Sequence, residues 1–176
     1  MNAPHPTICW SELATPLGPM LLAASDLGLH GAWFSGQAHF DGVAPDWIAR
    51  PDHALLQAAA AQLDEWYAGQ RRDFELPLAP LGTPFQQSVW QGLRGIGYGQ
   101  TGRYGALAAQ LGRAGAARAV GAATGRNPIS IIIPCHRLLG SGGALTGYAG
   151  GLARKRALLA FEAGDRQAFA HLESFT

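Results

Sequence analysis

The spacing of apolar residues changes character along the chain, from short alternating runs to helical recurrence, and that change supplies the first structural signal. Thr7 to Leu13, Pro19 to Ala24 and Leu29 to Phe34 read as three short strands. Thr15-Pro16-Leu17-Gly18 and Ser25-Asp26-Leu27-Gly28 separate them as turns. After a loop rich in Pro, Gly and Asp, Leu55, Ala59, Leu63 and Trp66 recur on one helical face, and Gly69 is placed to end that helix. The stretch Asp73 to Pro84 holds Pro77, Pro80, Pro84 and Gly82, a linker composition. Thr83-Pro84 then offers an N-cap and a first-turn proline. A domain boundary is expected here, giving an N-terminal α/β domain over 1–82 and a second domain over 83–176.

In the second half, Phe85, Val89 and Leu93 form the inner face of a helix, and Gly95, Gly97, Gly99 and Gly102 interrupt the chain before Tyr104. Two helices are predicted next: Tyr104 to Leu111, with Leu107, Ala108 and Leu111 inward, and about Gly115 to Thr124, with Ala116, Ala119, Val120 and Ala123 inward. Gly112 between them suits a helix stop, so the pair resembles a helix-turn-helix. Arg118 then points outward among Ala117, Gly121, Ala122 and Gly125. A face that flat can approach a nucleic-acid groove closely; it would equally serve tight helix packing with Arg118 in solvent. Asn127-Pro128 stops the helix, and Ile129-Ser130-Ile131-Ile132-Ile133 reads as a short buried strand leading into Pro134-Cys135-His136-Arg137. The last helix, Leu152 to Ala163, turns Leu152, Leu158 and Leu159 to one side with Glu162 projecting between the latter two directions. The expected fold class is α/β (α+β): a small strand-rich N-terminal domain with a helix, then a mainly helical C-terminal domain.

Composition bounds this picture. With 176 residues, 48% apolar and 14% charged, the chain can bury the core of one large domain or two small ones. Met1 to His5 lacks the positive region of a signal peptide, and the longest apolar stretches, near Met20 to Ala24 and Ile129 to Ile133, are too short to cross a bilayer. A soluble cytoplasmic protein without a membrane partner is expected. The net charge of +1 conceals an asymmetry: up to Glu75 there are nine acidic and three basic side chains, and from Leu76 onward ten basic and three acidic. Between Glu75 and Glu162 no carboxylate occurs, whereas Arg94, Arg103, Arg113, Arg118, Arg126, Arg137, Arg154, Lys155 and Arg156 do. So long a stretch of one sign favours a polyanionic partner, because phosphate neutralisation drives nucleic-acid binding.

The two cysteines, Cys9 and Cys135, lie far apart and indicate neither a disulfide framework nor a structural zinc site. Cys135 alone has chemistry beside it. An ordinary thiol has a pKa of about 8.5 and is mostly protonated at neutral pH, and His136 and Arg137 place a titratable group and a cation next to this one. Glu162, a carboxylate on an apolar helix face, needs a partner and becomes the candidate orienter of His136. Gly140-Ser141-Gly142-Gly143 and Thr146-Gly147-Tyr148-Ala149-Gly150-Gly151 match no phosphate-loop pattern and suit a flexible pocket wall.

Asn127-Pro128, then Pro134-Cys135-His136-Arg137, then Gly147-Tyr148-Ala149-Gly150-Gly151-Leu152 and a helix ending at Glu162 together resemble the O6-alkylguanine-DNA alkyltransferases over about Pro84 to Gly164. The resemblance implies direct reversal of DNA damage: irreversible, single-turnover transfer of an alkyl group from O6-alkylguanine, or O4-alkylthymine, to Cys135 after nucleotide flipping. It casts His136 as a base acting through a water and Glu162 as the residue polarising it. In the same resemblance Tyr104 would assist the leaving guanine, and Asn127 would tie the recognition helix to the active-site turn. Arg118 would fill the gap in the base stack, on a face including Ala117 and Gly121 laid in the minor groove of double-stranded DNA. Tyr148, Ala149 and Leu138 would wall the pocket, and Arg137 would join the DNA-binding set. No cofactor and no metal are implied, the scattered His5, His30, His39 and His53 being a poor ligand set, and a monomer is expected. Two positions depart from the pattern: Gly102-Arg103 precede Tyr104 where less bulky or uncharged residues are expected, and Ala149 lacks a hydroxyl that some members carry. Two other readings stay open. One is a non-catalytic binder or regulator of alkylated DNA with a structural Cys135. The other is a thiol hydrolase, disfavoured because neighbouring residues on an extended chain point apart.

Overall fold

The computed structural model describes residues 6–170 and 172; the first five residues, with the absent-leader reading and His5, lie outside that range. The N-terminal half is built on a four-stranded sheet. β1 (Cys9–Leu13) pairs antiparallel with β2 (Met20–Ser25), β2 pairs antiparallel with β3 (Gly28–Phe34), and the two-residue β4 (Ile48–Ala49) adds parallel to β1. The three predicted strands are present within one or two residues at each end, because each is a short apolar run cut by a glycine turn. Helix α1 (Ala54–Tyr67) covers the sheet with Leu56, Ala59, Leu63 and Trp66, all buried. Leu55 sits at the margin of that face rather than in it.

Helix α2 (Pro84–Leu93) begins with a complete capping box: Gln86 N–H donates to Thr83 Oγ1, and Thr83 N–H donates to Gln86 Oε1. It buries Val89, Trp90 and Leu93, and Trp90 Nε1 donates to the carbonyl of Ala123 at 2.9 Å, fixing it against the helix-turn-helix. That unit is α3 (Tyr104–Gln110) and α4 (Ala117–Gly125), joined by a turn whose Gly112 and Gly115 have φ of 69° and 86°. Helix α4 starts two residues later than expected and buries Val120, Ala123 and Thr124; Ala119, expected inward, is exposed. A narrow helix packed on one side by its neighbours leaves room for only one turn-to-turn row.

The buried run after α4 is not a strand. Only Ile129 bridges to the sheet, at Ala32, and the chain then turns through Ser130, Ile131 and Ile132, with Ile131 at φ of 70°. A β-branched residue in the left-handed region is strained, and its restraint is visible. Ile129 N–H donates to Asn127 Oδ1 at 2.9 Å, and Asn127 Nδ2 donates to Ile133 O at 2.8 Å, so the segment wraps around one side chain. An unbroken apolar run reports burial and not backbone direction, which is why strand and turn look alike in sequence. Cys135, His136 and Arg137 follow on a single 3-10 turn, and β6 (Leu138–Leu139) pairs parallel with β5 (Gly102–Arg103), two strands with no sequence signal.

Helix α5 (Leu152–Glu162) is the last helix of the described residues. Its buried face carries Arg154, Lys155, Leu158, Phe161 and Glu162, while Leu152, expected inward, is 44% exposed. One apolar cluster runs through both halves, and Trp66 of α1 meets Phe161 of α5 with ring centroids 5.1 Å apart. The active-site segment is braced on the sheet by Ala32 N–H to Pro128 O at 2.9 Å and Ser130 N–H to Ala32 O at 2.8 Å. No helix among the described residues is long and apolar enough to cross a membrane.

Candidate active site

Cys135 lies at the inner wall of a cavity of about 1010 Å³, opened between α4, the start of α3 and the glycine-rich loop over residues 140–149. The sulfur is almost fully enclosed by protein, the residue being 5% exposed, yet it contributes to the cavity lining. Asn127 Nδ2 donates to Sγ at 3.1 Å, the same amide that grips Ile133 O. Burial pushes the thiol pKa up, only partly offset by the Asn127 hydrogen bond and the charge of Lys155. The resting group is therefore a thiol, and it needs a base to react at neutral pH.

The candidate for that base stands directly after it in the chain. His136 is completely buried, and its Nε2 lies 2.8 Å from Glu162 Oε1. The carboxylate acceptor assigns the ring proton to Nε2, leaving Nδ1 with its lone pair free, and Nδ1 has no hydrogen-bond partner among the described residues. Burial lowers the imidazole pKa, outweighing the raising effect of Glu162, so the ring rests neutral and its Nδ1 lone pair is open to a proton. On the 3-10 turn the two side chains are neighbours without being directly bonded, since Sγ is engaged by Asn127 and Nε2 by Glu162.

Glu162 is the most heavily bonded carboxylate among the described residues. Besides His136 it accepts from Arg137 Nε at 2.9 Å and Nη2 at 2.8 Å, and from the backbone N–H of Gly99 at 3.2 Å. Burial pushes its pKa up, but the hydrogen bonds from His136 and Arg137 and the Arg137 charge outweigh that and hold it at about 2. Arg137 was expected among the DNA contacts; instead it is 6% exposed and its guanidinium is spent on Glu162 and the carbonyl of Ile96. A buried carboxylate beside a neutral imidazole requires a cation, and Arg137 is that cation. Leu138 is likewise fully buried behind the wall, and the neighbouring Leu139 and Gly140 reach the cavity in its place.

Of the other expected site residues, the structure brings Tyr104, Ala117, Arg118, Gly121, Tyr148 and Ala149 to the cavity with Cys135, while His136, Glu162 and Asn127 stand behind the sulfur. Burial raises the pKa of Tyr104 and of Tyr148, so both phenols keep their protons at neutral pH. Arg118 is exposed at the rim. Lys155 was not singled out beforehand. It is fully buried, its ammonium donates to Thr146 O at 2.8 Å, and its charge reaches Cys135. The signal was there in its place on the core side of α5, one turn before Leu158 and Leu159, but a lysine in a basic run reads first as surface. Arg154 is also turned inward, donating to Leu17 O and Gly150 O at 2.8 and 2.9 Å. The basic stretch thus presents fewer cations to solvent than its count implies. No group of three or more His, Cys, Asp or Glu able to hold a metal occurs among the described residues.

A protonated thiol in a cavity wall, backed by a neutral histidine that a carboxylate orients, defines a class of proteins that use one cysteine as a nucleophile. Comparison with known proteins narrows the class. Residues 84–164 match the family model described as 6-O-methylguanine DNA methyltransferase, DNA binding domain, and residues 8–80 match that for its ribonuclease-like domain. The methylated-DNA–protein-cysteine methyltransferase of Methanosarcina barkeri is 46% identical over 151 residues, covering 85% of this chain and 94% of that protein. The one from Mycobacterium leprae is 45% identical over 151 residues, covering 86% and 90%. The Mycobacterium tuberculosis protein OGT, solved in complex with DNA, superposes with a TM-score of 0.85 at 40% identity, covering 92% of this chain and 99% of that one. The chain belongs to the 6-O-methylguanine DNA methyltransferase family. It is accordingly a methyltransferase enzyme of DNA repair, working by alkyl transfer.

Proposed function

We propose that this protein repairs O6-alkylguanine, and O4-alkylthymine, in double-stranded DNA by moving the alkyl group onto Cys135, once per molecule. The observation that carries the reading is the position of Cys135 Sγ: in the wall of a cavity shared with Tyr104 and Tyr148, with the His136–Glu162 pair immediately behind it. A water relays the Cys135 proton to His136 Nδ1, while Glu162 and Arg137 stabilise the imidazolium that forms. The thiolate attacks the alkyl carbon, an S–C bond forms, and the C–O6 bond breaks with its electron pair leaving on the base. The Tyr104 phenol donates a hydrogen bond to the departing base, whose anion takes up a proton to become guanine. Asn127 holds the sulfur through its amide N–H and so keeps the acceptor aimed as charge develops. The product thioether has no easy leaving route, so the protein is consumed.

The substituent at O6 is unreachable inside a stacked duplex, and the nucleotide must rotate out at a cost of a few kcal/mol. Arg118 at the cavity rim supports the vacated stack. Ala117 and Gly121 line the same cavity beside it, so no long side chain of theirs keeps α4 from entering the minor groove, which is only about 6 Å wide. In this reading the 83–176 domain carries the DNA contacts and the acceptor, the 1–82 domain braces the active-site turn, and the protein works as a cytoplasmic, nucleoid-associated monomer.

The test is mass spectrometry of the whole protein after incubation with an oligonucleotide containing O6-methylguanine. The expected result is one added methyl on the Cys135 peptide and no second turnover. Cys135→Ser should gain nothing while keeping its affinity for DNA. An unmodified wild-type Cys135 would refute the reading, and repeated turnover on small esters or amides would favour a thiol hydrolase. Binding of alkylated DNA without transfer would leave a regulator.

A further inference from the structure

The glycine-rich loop over 140–147 walls the cavity, and its backbone has little stiffness of its own: Gly142, Gly143 and Gly147 adopt φ of 65°, 85° and 33°. What holds it in place comes from outside. At one end the ammonium of Lys155 donates to Thr146 O, and the Tyr104 phenol meets the Thr146 side chain. At the other end the only side chain from elsewhere in the described chain seen bonded to the loop is Arg103, whose Nη1 donates to Gly140 O. Both Nη1 and Nη2 also lie over Gly143, 3.6 Å from where a Cβ would stand. Arg103 can reach because β5 and β6 pair directly below, in the register Gly102 to Leu138 and Arg103 to Leu139. No carboxylate among the described residues pairs with this guanidinium, although it is exposed.

We propose that Arg103 is a specificity-determining residue: its guanidinium latches the Gly140–Gly143 end of the loop over the cavity and so limits the size of the alkyl group that Cys135 accepts. The proposal rests on the reading that this cavity receives the alkyl group. Releasing the latch frees one end of the wall, while Lys155 and Tyr104 keep the other. Cys135 and its Asn127 hydrogen bond are held by a different segment, so the reacting atom stays where it is. A methyl group, needing little room, is indifferent to the change, and a benzyl group gains from it.

The experiment compares the rates at which O6-methylguanine and O6-benzylguanine, as free bases, modify Cys135 in the wild type, Arg103→Ala and Arg103→Lys, read by protein mass. Free bases remove any contribution from DNA contacts. The expected result is a benzyl-to-methyl rate ratio raised about fivefold in Arg103→Ala, the effect of losing roughly one ordinary, solvent-exposed hydrogen bond on the loop, and brought back toward wild type by lysine. A ratio within twofold of wild type overturns the latch. An unchanged ratio on free bases with slowed repair of duplex DNA also overturns it, assigning Arg103 to the phosphate backbone. Failure of the wild-type protein to take up either group would instead refute the alkyl-transfer reading itself.

Discussion

Replacing Glu162 by glutamine tests the electrostatics of the site most directly. The carboxyl is held at about 2 against an ordinary 4.5, and a displacement of that size corresponds to about 3 kcal/mol of stability, at 1.36 kcal/mol per pKa unit. Because the folded value lies below the unfolded one, this contribution is present in full above pH 5 or so. It is lost as the pH falls toward the folded value of about 2. Glutamine keeps the shape but leaves the buried Arg137 guanidinium uncompensated, which in comparable cases costs about 3–5 kcal/mol. Urea unfolding at pH 7 should therefore show a midpoint lowered by about 1–2 M, and the gap between wild type and variant should narrow on acidification from pH 5 to pH 3. Adding Arg137→Met to the variant should recover part of the loss, since it removes the stranded charge. A gap that stays constant with pH, or a cost below about 1 kcal/mol, would refute the account of Glu162 as the ionised centre of this cluster.

Two further substitutions probe the cavity. Arg118→Ala should slow repair of duplex DNA by an order of magnitude or more, roughly the weight of a few kcal/mol of extrusion cost, and leave the reaction with free O6-methylguanine within about twofold; equal losses on both substrates would count against a role in flipping. Asn127→Ala removes the donor to Sγ and strands the backbone N–H of Ile129, whereas Ile133 O keeps its bond from Cys135 N–H. The rate of iodoacetamide alkylation of Cys135 should shift to higher pH, because a thiolate without that donor is less stable. Unfolding should cost about 1–3 kcal/mol less, the penalty of that one stranded N–H. An unshifted alkylation profile would show that the Asn127 hydrogen bond does not govern the thiol.

Much of this protein can be read without coordinates. The three long strands, α1, the capped start of α2 and the helix-turn-helix each announce themselves locally, through periodicity cut by glycine or proline. The pairing of Glu162 with His136 was also legible, since a carboxylate on an apolar helix face has few ways to be satisfied. Other features were not. Ile129 to Ile133 is buried as an apolar run suggests, but the Asn127 side chain converts it from strand to turn. β5 and β6 are two residues long and exist only because the chain is brought back beside itself.

The side chains of the basic stretch show the same division. Counting established that positive charge accumulates after Glu75, and residue type established that Cys135 has a histidine beside it. Which cations face solvent and which are drawn inside was settled by packing: Arg137 by Glu162, Arg154 by the carbonyls of Leu17 and Gly150, Lys155 by that of Thr146. Local order along the chain dictates period, caps and breaks, because these depend on neighbours a few residues away. Glu162 lies 25 residues from Arg137 and Leu17 137 residues from Arg154, and only folding brings such partners within hydrogen-bond reach.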